Sequence, residues 1–354
     1  VVRDRGRSAD GGALVEAIAA DLEAQAALAD PARLVSIYFG GGTPSLMRPE
    51  HVARLIAHVR ALWPAPGALE VTLEANPDDA APGRFAALAE AGVNRLSLGV
   101  QAFDDAALGF LKRNHDAAQA RAALEAALKA FPRVSIDLIY ALPGQTPQDW
   151  AVRVREAAKT GVEHLSAYQL TVEAGTPLAR AVGRGAVTPV DGDTAAAFYD
   201  AGLDAMAAEA FDAYEVSNFA RGPAARARHN LVYWRGEAYA GAGPGAHGRL
   251  AVGGARTATE TEAGVDAYVA RVARGGTGWR LREALSPQAV LEERVLMGLR
   301  TDEGVATADL AALGRLAHAD PLVEGGWLER VGERLRATRP GRLLLDSVTR
   351  DLLA

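Results

Sequence analysis

The sequence predicts an α/β fold: a parallel sheet of strand–helix units, followed by a small C-terminal α+β module of winged-helix type. Three observations carry this. Short apolar runs alternate with Ala/Leu/Arg/Glu stretches of helical period through the first two-thirds of the chain. The runs recur at roughly 25–40 residues, which suits the crossover helices that parallel strands need. Past residue 175 the rhythm changes, and after a single helix at Asp193–Glu209 helical pattern returns from Ser286.

The chain opens on a helix around Gly12–Leu28, with Leu14, Ile18 and Leu22 at four-residue spacing. Strands are expected at Leu34–Phe39, Leu69–Leu73, Arg95–Val100, Val134–Ile139 and His164–Leu170. Helices are expected between them at Pro49–Leu62, Arg84–Ala91, Ala117–Ala130 and Gln148–Thr160, with Gly92 and Gly161 where C-terminal caps belong. An array that starts on a helix reads as one that lacks its first strand. Pro177, Gly183, Gly185 and Pro189 mark irregular connection, and a helix follows at Asp193–Glu209. Tyr214 to His247 is polar, aromatic and glycine-rich, with little periodicity. The tail reads helix, turn, a strand pair around Leu328–Thr338, and a last helix.

Composition bounds the function. The chain has 354 residues, 49% hydrophobic and 23% charged, the profile of a packed globular protein. Its formal net charge of -6 argues against an open electrostatic grip on nucleic acid or anionic membrane. No apolar run reaches the ~18 residues of a membrane span and no secretory h-region stands at the start, so the expected compartment is the cytoplasm. There is no cysteine, hence no disulfide and no thiolate ligand or nucleophile.

Each expected strand ends in a polar or glycine-rich cluster. The clusters are Gly40-Gly41-Gly42-Thr43-Pro44, Glu74-Ala75-Asn76-Pro77, Gly99-Val100-Gln101, Asp137 with Leu142-Pro143-Gly144, and Tyr168, Gln169 and Thr171. In a parallel barrel all carboxyl ends face one side, where chemistry collects. Gly, Pro and Asn also punctuate ordinary turns. Glu and Gln do not form turns, however, and Asp137 interrupts an apolar run, so the set points to one shared site. The triple glycine lets backbone approach a ligand. It is neither a Walker loop nor the dinucleotide fingerprint, because no Gly-Lys-Ser/Thr follows and the glycine spacing differs.

YFGGGTPSLM, LEANPDD, AGVNRLSLGVQAFDDAALGFLKRNH, IDLIYALPGQT and LSAYQLTVEAGTPL resemble the radical S-adenosylmethionine proteins of the oxygen-independent coproporphyrinogen oxidase group. YEVSNFA, HNLVYW and GAGPGAHG resemble its haem-chaperone branch. The resemblance spans nearly the whole chain in order. It implies a partial (β/α)6 radical-SAM barrel, here without its first strand, that holds S-adenosylmethionine and a [4Fe–4S] cluster. It also implies three segments: 1–180 as barrel core, 181–280 as barrel completion and haem-motif region, and 281–354 as the group's C-terminal domain.

By position, the resemblance assigns Gly41, Gly42 and Thr43 to the methionine end of the nucleotide through backbone contacts. Glu74 would accept hydrogen bonds from the ligand, and Gln101, Arg113 and Asp137 match positions lining the cofactor site. A carboxylate at Asp137 suits ribose hydroxyls, and Arg113 suits a carboxylate in fork geometry. An exposed helix arginine beside Lys112 is the alternative for Arg113. His229, Asn230, Tyr233 and Trp234 form H-N-x-x-Y-W, associated in the chaperone branch with haem. A neutral imidazole is an ordinary axial ligand for haem iron, and Tyr and Trp offer flat faces with polar handles. A buried histidine in an aromatic corner remains the alternative for His229. His247, in GPGAHG, is a second candidate ligand, although its glycines favour a structural turn.

The group places a C-x3-C-x2-C loop just after its first strand, and clusters are held by thiolates. This sequence starts beyond that point, with Arg3–Gly12 resembling the polar segment that follows the loop. The expectation is a truncated chain whose cluster exists only in the full-length form; a true cluster-less protein is the alternative. The resemblance then implies a haem chaperone that passes haem to client haemoproteins, with peripheral membrane association through clients and no nucleic-acid partner. The competing readings are an oxygen-independent coproporphyrinogen III oxidase, and an S-adenosylmethionine-binding protein with no porphyrin role.

Overall fold

A computed structural model describes residues 11–354. All but the last two residues of the Arg3–Gly12 segment lie outside the described residues. The elements run α1 (Gly11–Leu28), β1 (Ser36–Phe39), α2 (Pro49–Leu62), β2 (Glu70–Ala75), α3 (Arg84–Glu90), β3 (Arg95–Gln101), α4 (Asp105–Phe110), α5 (Ala117–Ala130), β4 (Arg133–Tyr140), α6 (Pro147–Ala158) and β5 (His164–Gln169). Then come α7 (Pro177–Gly183), α8 (Gly192–Ala208), β6 (Asp212–Ala213), β7 (Asn218–Ala220), α9 (Arg228–Trp234), β8 (His247–Val252), β9 (Ala255–Thr261), α10 (Val265–Gly275) and β10 (Trp279–Ala284). The chain closes with α11 (Pro287–Gly298), β11 (Val305–Ala306), α12 (Thr307–Ala312), α13 (Ala319–Glu324), β12 (Leu328–Val331), β13 (Arg334–Ala337), α14 (Arg339–Leu343) and α15 (Leu345–Leu353). The strand–helix array expected from the sequence is present in order.

The chain forms two compact units. One comprises residues 39–46 and 72–226; the other comprises the described residues up to 38, residues 47–71 and 227–354. The main sheet is ordered β1-β2-β3-β4-β5-β7-β6. Strands β2 to β5 pair in parallel, and β7 turns antiparallel against β5. Its helices start where local chemistry dictates. Asp116 and Gln119 form a reciprocal capping box at α5, and Thr146 and Asp149 do the same at α6, where Pro147 takes the first turn. Helices α3 and α5 pack on one another, α5 lies on β3 and β4, and α6 packs on α8. Trp150 of α6 stacks on Tyr140 at 5.1 Å.

In the other unit α1 packs on α2 and α10, a three-stranded antiparallel sheet is ordered β10-β9-β8, and a second is ordered β11-β13-β12. The expected C-terminal strand pair is β12 and β13. The meander β8-β9-β10 had no counterpart in the sequence reading. A buried polar knot ties this unit together. Asp21 of α1 accepts from Gln25 Nε2 at 2.9 Å and from the Tyr268 hydroxyl at 2.7 Å. The same hydroxyl accepts from the Gly243 N–H at 2.9 Å. Thr261 Oγ1 donates to the Gly243 carbonyl at 2.6 Å and accepts from the Ala246 N–H at 2.8 Å. The glycine-rich loop of residues 241–248 is therefore held by α1, β9 and α10. Burial pushes the Asp21 carboxyl up, against the hydrogen bonds from Gln25, Tyr268 and Gly278.

Removing one donor from a buried carboxylate leaves a desolvated acceptor. Tyr268→Phe is expected to lower the unfolding free energy by about 1–3 kcal/mol, read by urea denaturation. An unchanged midpoint would show that this knot does not stabilise the fold.

Candidate functional site

Parallel register sets the site in the unit of residues 39–46 and 72–226. Glu74 lies opposite Ser97, Ser97 opposite Ser135, and Ser135 opposite His164. Two residues further along, Asp137 lies opposite Ser166, and Ser166 opposite Asn218. Side chains alternate across a strand, so these residues share one face. The intervening row, Ala75, Leu98, Ile136, Leu165 and Phe219, is fully buried on the other face.

At the carboxyl ends, the Gly41 N–H donates to Glu74 Oε2 at 3.2 Å. Gly41 has φ 107°, in the left-handed region, and a Cβ at Gly41 or Gly42 would meet nothing within 4 Å. Thr43 turns its hydroxyl to the Gly42 carbonyl at 2.6 Å. The loop is anchored below by Ser45, which donates to Asp79 Oδ2 at 2.6 Å, and by Arg84 Nε, which donates to the Ser45 carbonyl at 2.9 Å. Asp79 also accepts from the Asn76 N–H at 3.1 Å. Arg113 Nη2 donates to Asn76 Oδ1 at 2.7 Å. The Gly99 position explains how these groups meet. A Cβ there would stand 2.8 Å from Gln101 Nε2 and 3.5 Å from both Arg113 Nη2 and Asn76 Oδ1. Gln101 and Ala141, at the ends of β3 and β4, carry φ of 67° and 61°. Non-glycine residues there are strained, a feature that clusters at functional sites.

Asp137 is half-buried and accepts from Ser97 Oγ at 3.2 Å. Burial pushes its carboxyl up to about 6, and the neighbouring Glu74 charge adds to this. The Ser166 and Ser97 hydroxyls and the Arg95 charge oppose the rise. Gly41, Gly42, Thr43, Glu74, Gln101, Arg113 and Asp137 thus all lie on the strand-end loops and polar face of one unit. Asn76, Gly99 and Ser97 belong with them; Asn76 and Gly99 stood in the expected strand-end clusters without an individual role, and Ser97 had none. Asn76 followed Glu74 in the same expected turn, which was the available signal. Asn76 Oδ1 is already taken by Arg113, so Arg113 is not a bare surface arginine.

The H-N-x-x-Y-W residues lie on α9 in the other unit. His229 is buried, and its Nδ1 lies 3.1 Å from Glu70 Oε1. The same oxygen accepts the N–H of Arg228 at 2.9 Å and of His229 at 3.2 Å. A carboxylate only accepts, so it assigns the proton to Nδ1 and makes Nε2 the basic nitrogen. Tyr38 stacks on the imidazole with centroids 4.2 Å apart. Tyr233 meets Tyr239 edge-on at 4.7 Å, and Asn230 and Trp234 are half-buried. His247 starts β8 with its side chain 63% exposed, 3.9 Å from Glu260. Glu70 and Tyr38 escaped the sequence reading. Among the described residues no group of three His, Cys, Asp or Glu could hold a metal ion, and no helix is long and apolar enough to cross a membrane.

Residues 6–157 match the Radical SAM superfamily, and residues 285–344 match the HemN C-terminal domain. The heme chaperone HemW of Mycobacterium tuberculosis (strain ATCC 25618 / H37Rv) is 40% identical over 95% of this chain and 85% of its own length. HemW of Bacillus subtilis is 33% identical over 89% of this chain and 84% of its own. The mitochondrial radical S-adenosyl methionine domain-containing protein 1 of Bos taurus is 38% identical over 98% and 82%. Among solved structures, coproporphyrinogen III oxidase (HemN) from Escherichia coli superposes with a TM-score of 0.77 over 98% of this chain and 84% of that one. At 20% identity that likeness concerns the fold alone.

The Asp137 environment sets a pH dependence. Its carboxyl titrates near 6 in the folded chain against an ordinary 3.8. The associated stability is present below the ordinary value and lost as pH rises through about 6. Asp137→Asn is therefore expected to raise the unfolding free energy at pH 7 by about 1–3 kcal/mol. The gain should shrink to nothing by about pH 4. Paired urea denaturation curves at the two pH values check this, and a gain that persists in acid would refute it.

Proposed function

The chain belongs to the HemW family of radical S-adenosylmethionine proteins, and from that premise we propose that it is a haem chaperone, binding haem and passing it to client haemoproteins. The observation that carries the reading beyond family is the seat of His229. An imidazole whose Nδ1–H is held by a buried carboxylate is oriented and made more basic at Nε2, the arrangement that tunes histidine ligands to iron. His229 is the axial ligand in this reading. Asn230, Tyr233 and Trp234, on the same short helix, supply the polar and aromatic flank. The client haemoproteins, the cytoplasm as compartment and peripheral attachment to membranes through clients belong to the same proposal.

S-adenosylmethionine is assigned to the other unit. The residues present fit it. Gly41 and Gly42 leave open space beside backbone N–H groups, and Thr43 closes that loop. Glu74 and Asp137 offer acceptors for an ammonium and for ribose hydroxyls, and Gln101 and Arg113 converge on the same strand ends. A [4Fe–4S] cluster does not fit these 354 residues, which include no cysteine. No chemical step through a cluster follows from them.

The second reading, oxygen-independent coproporphyrinogen oxidation, shares the fold of HemN. H-N-x-x-Y-W and the HemW relatives favour the chaperone.

Two measurements test the proposal. Ferric haem added to the wild-type chain is expected to shift the Soret band, with His229→Ala weakening binding at least about tenfold and His247→Ala leaving it intact. The reverse pattern would move the ligand to His247, and no shift in any form would remove the porphyrin reading. In calorimetry, Glu74→Ala and Asp137→Ala should each weaken S-adenosylmethionine binding by about 1.5–3 kcal/mol. Gly41→Val should do more harm, because valine is strained at that φ and fills the ligand's space. Unchanged affinities would refute the site.

A further inference from the structure

Asn76 is not among the residues assigned to the nucleotide, yet two groups hold its side chain from opposite sides. Arg113 Nη2 donates to Asn76 Oδ1 at 2.7 Å. On the other side Asn76 Nδ2 donates to Asp79 Oδ2 at 3.3 Å, and the Asn76 N–H donates to the same oxygen at 3.1 Å. A guanidinium only donates and a carboxylate only accepts. The two neighbours therefore agree on one orientation of the amide, oxygen toward Arg113 and nitrogen toward Asp79. Asp79 is itself held, because the fully buried Ser45 donates its hydroxyl to Oδ2 at 2.6 Å. These four residues lie in one compact unit.

The backbone end of Arg113 is pinned as well. Arg113 follows α4, whose last turn closes through Lys112 at φ 55°, and its N–H donates to the Leu108 carbonyl at 3.0 Å. Two residues on, the buried His115 has Nε2 3.2 Å from the Val100 carbonyl, which fastens the same segment to β3. Backbone at one end and Asn76 at the other fix where the guanidinium lies.

We propose that Asn76, oriented by Asp79, is a positioning residue that aims the Arg113 guanidinium at the carboxylate of S-adenosylmethionine, and so sets the preference for a ligand that carries one. The inference rests on the assignment of Arg113 to that carboxylate. An arginine side chain has many rotamers, and ordering it at the moment of binding costs affinity. Ordered beforehand, it meets a carboxylate in fork geometry without that loss. An amide suits the place between Arg113 and Asp79. It presents an acceptor to the guanidinium and a donor to the carboxylate, and it adds no negative charge of its own beside Arg113.

The test compares two ligands by calorimetry on the full chain. One is S-adenosylmethionine. The other is its decarboxylated analogue, which keeps the adenosine, sulfonium and ammonium groups and lacks only the carboxylate. Asn76→Leu is expected to weaken S-adenosylmethionine binding about threefold to tenfold and to leave the analogue within about twofold of wild type. A merely structural role, which loosens the loop after β2, would weaken both alike. Equal losses, or an unchanged affinity for S-adenosylmethionine, would overturn the inference. A second readout needs no ligand. Nitrogen-15 relaxation of the Arg113 Nε–H, its signal identified with Arg113→Lys, should report an ordered side chain in the wild type and a mobile one in Asn76→Leu. Asn76→Asp, which keeps an acceptor toward Arg113, should leave it ordered. Asn76→Ala replaces Asn76→Leu if leucine prevents folding. An Arg113 side chain equally ordered with and without the Asn76 acceptor would also overturn the inference. If the wild type binds both ligands equally, the assignment of Arg113 to a carboxylate fails, while the relaxation result still decides whether Asn76 holds Arg113.

Discussion

The lateral register of β2 to β5 is the constraint on which the candidate nucleotide site depends. Because side chains alternate with period two, in-phase pairing collects Glu74, Ser97, Ser135 and His164 in one row, and Asp137, Ser166 and Asn218 in the next. The same phase gives the row of Ala75, Leu98, Ile136, Leu165 and Phe219 entirely to the opposite, buried face. A slip of one residue in any strand would exchange the faces, burying a carboxylate among the helices and exposing leucine. The apolar row therefore protects the polar one.

Polar rows inside a sheet must be satisfied by hydrogen bonds, because an unpartnered buried group is costly. The observed network answers that demand. Ser135 donates to Ser97 at 3.0 Å, Ser97 to Asp137, and Ser166 to Asn218, while His164 Nε2 lies 2.8 Å from the Tyr214 hydroxyl. The network leaves a residual tension in the raised Asp137 carboxyl and in the left-handed backbone of Gln101 and Ala141. A site arranged for a ligand rather than for the ligand-free chain is expected to hold such tension, since the surrounding fold fixes groups that would relax if alone.

The other unit uses long-range polar contacts in a different way. Asp21 and Tyr268 are far apart in sequence and join α1 to α10, and Tyr268 and Thr261 then hold the loop of residues 241–248. Glu70 accepts three N–H groups at the start of α9, two of them from backbone. A single buried carboxylate thus orients both a helix and the imidazole on it. His247, by contrast, lies exposed at the start of a strand that follows the glycine-rich turn.

The sequence by itself determined what depends on short-range order. The strand–helix alternation, Gly92 and Gly161 after their helices, and the polar residues at strand ends all stand where hydrophobic period and turn chemistry put them. Its motifs also pointed to the family. It did not reveal the β8-β9-β10 meander, because β10 is exposed along nearly its whole length and its apolar alternation stops after Trp279 and Leu281. Nor did it reveal partners that folding joins across the chain. Glu70 stood within an expected strand with no sign that it would meet His229, and Arg113 gave no sign of Asn76. Asn218 was visible as a letter of a motif, but only the pairing of β5 with β7 brings it to Ser166. Period and capping are local energies legible along the chain. Which buried acceptor meets which donor is decided by register and packing, and those exist only in three dimensions.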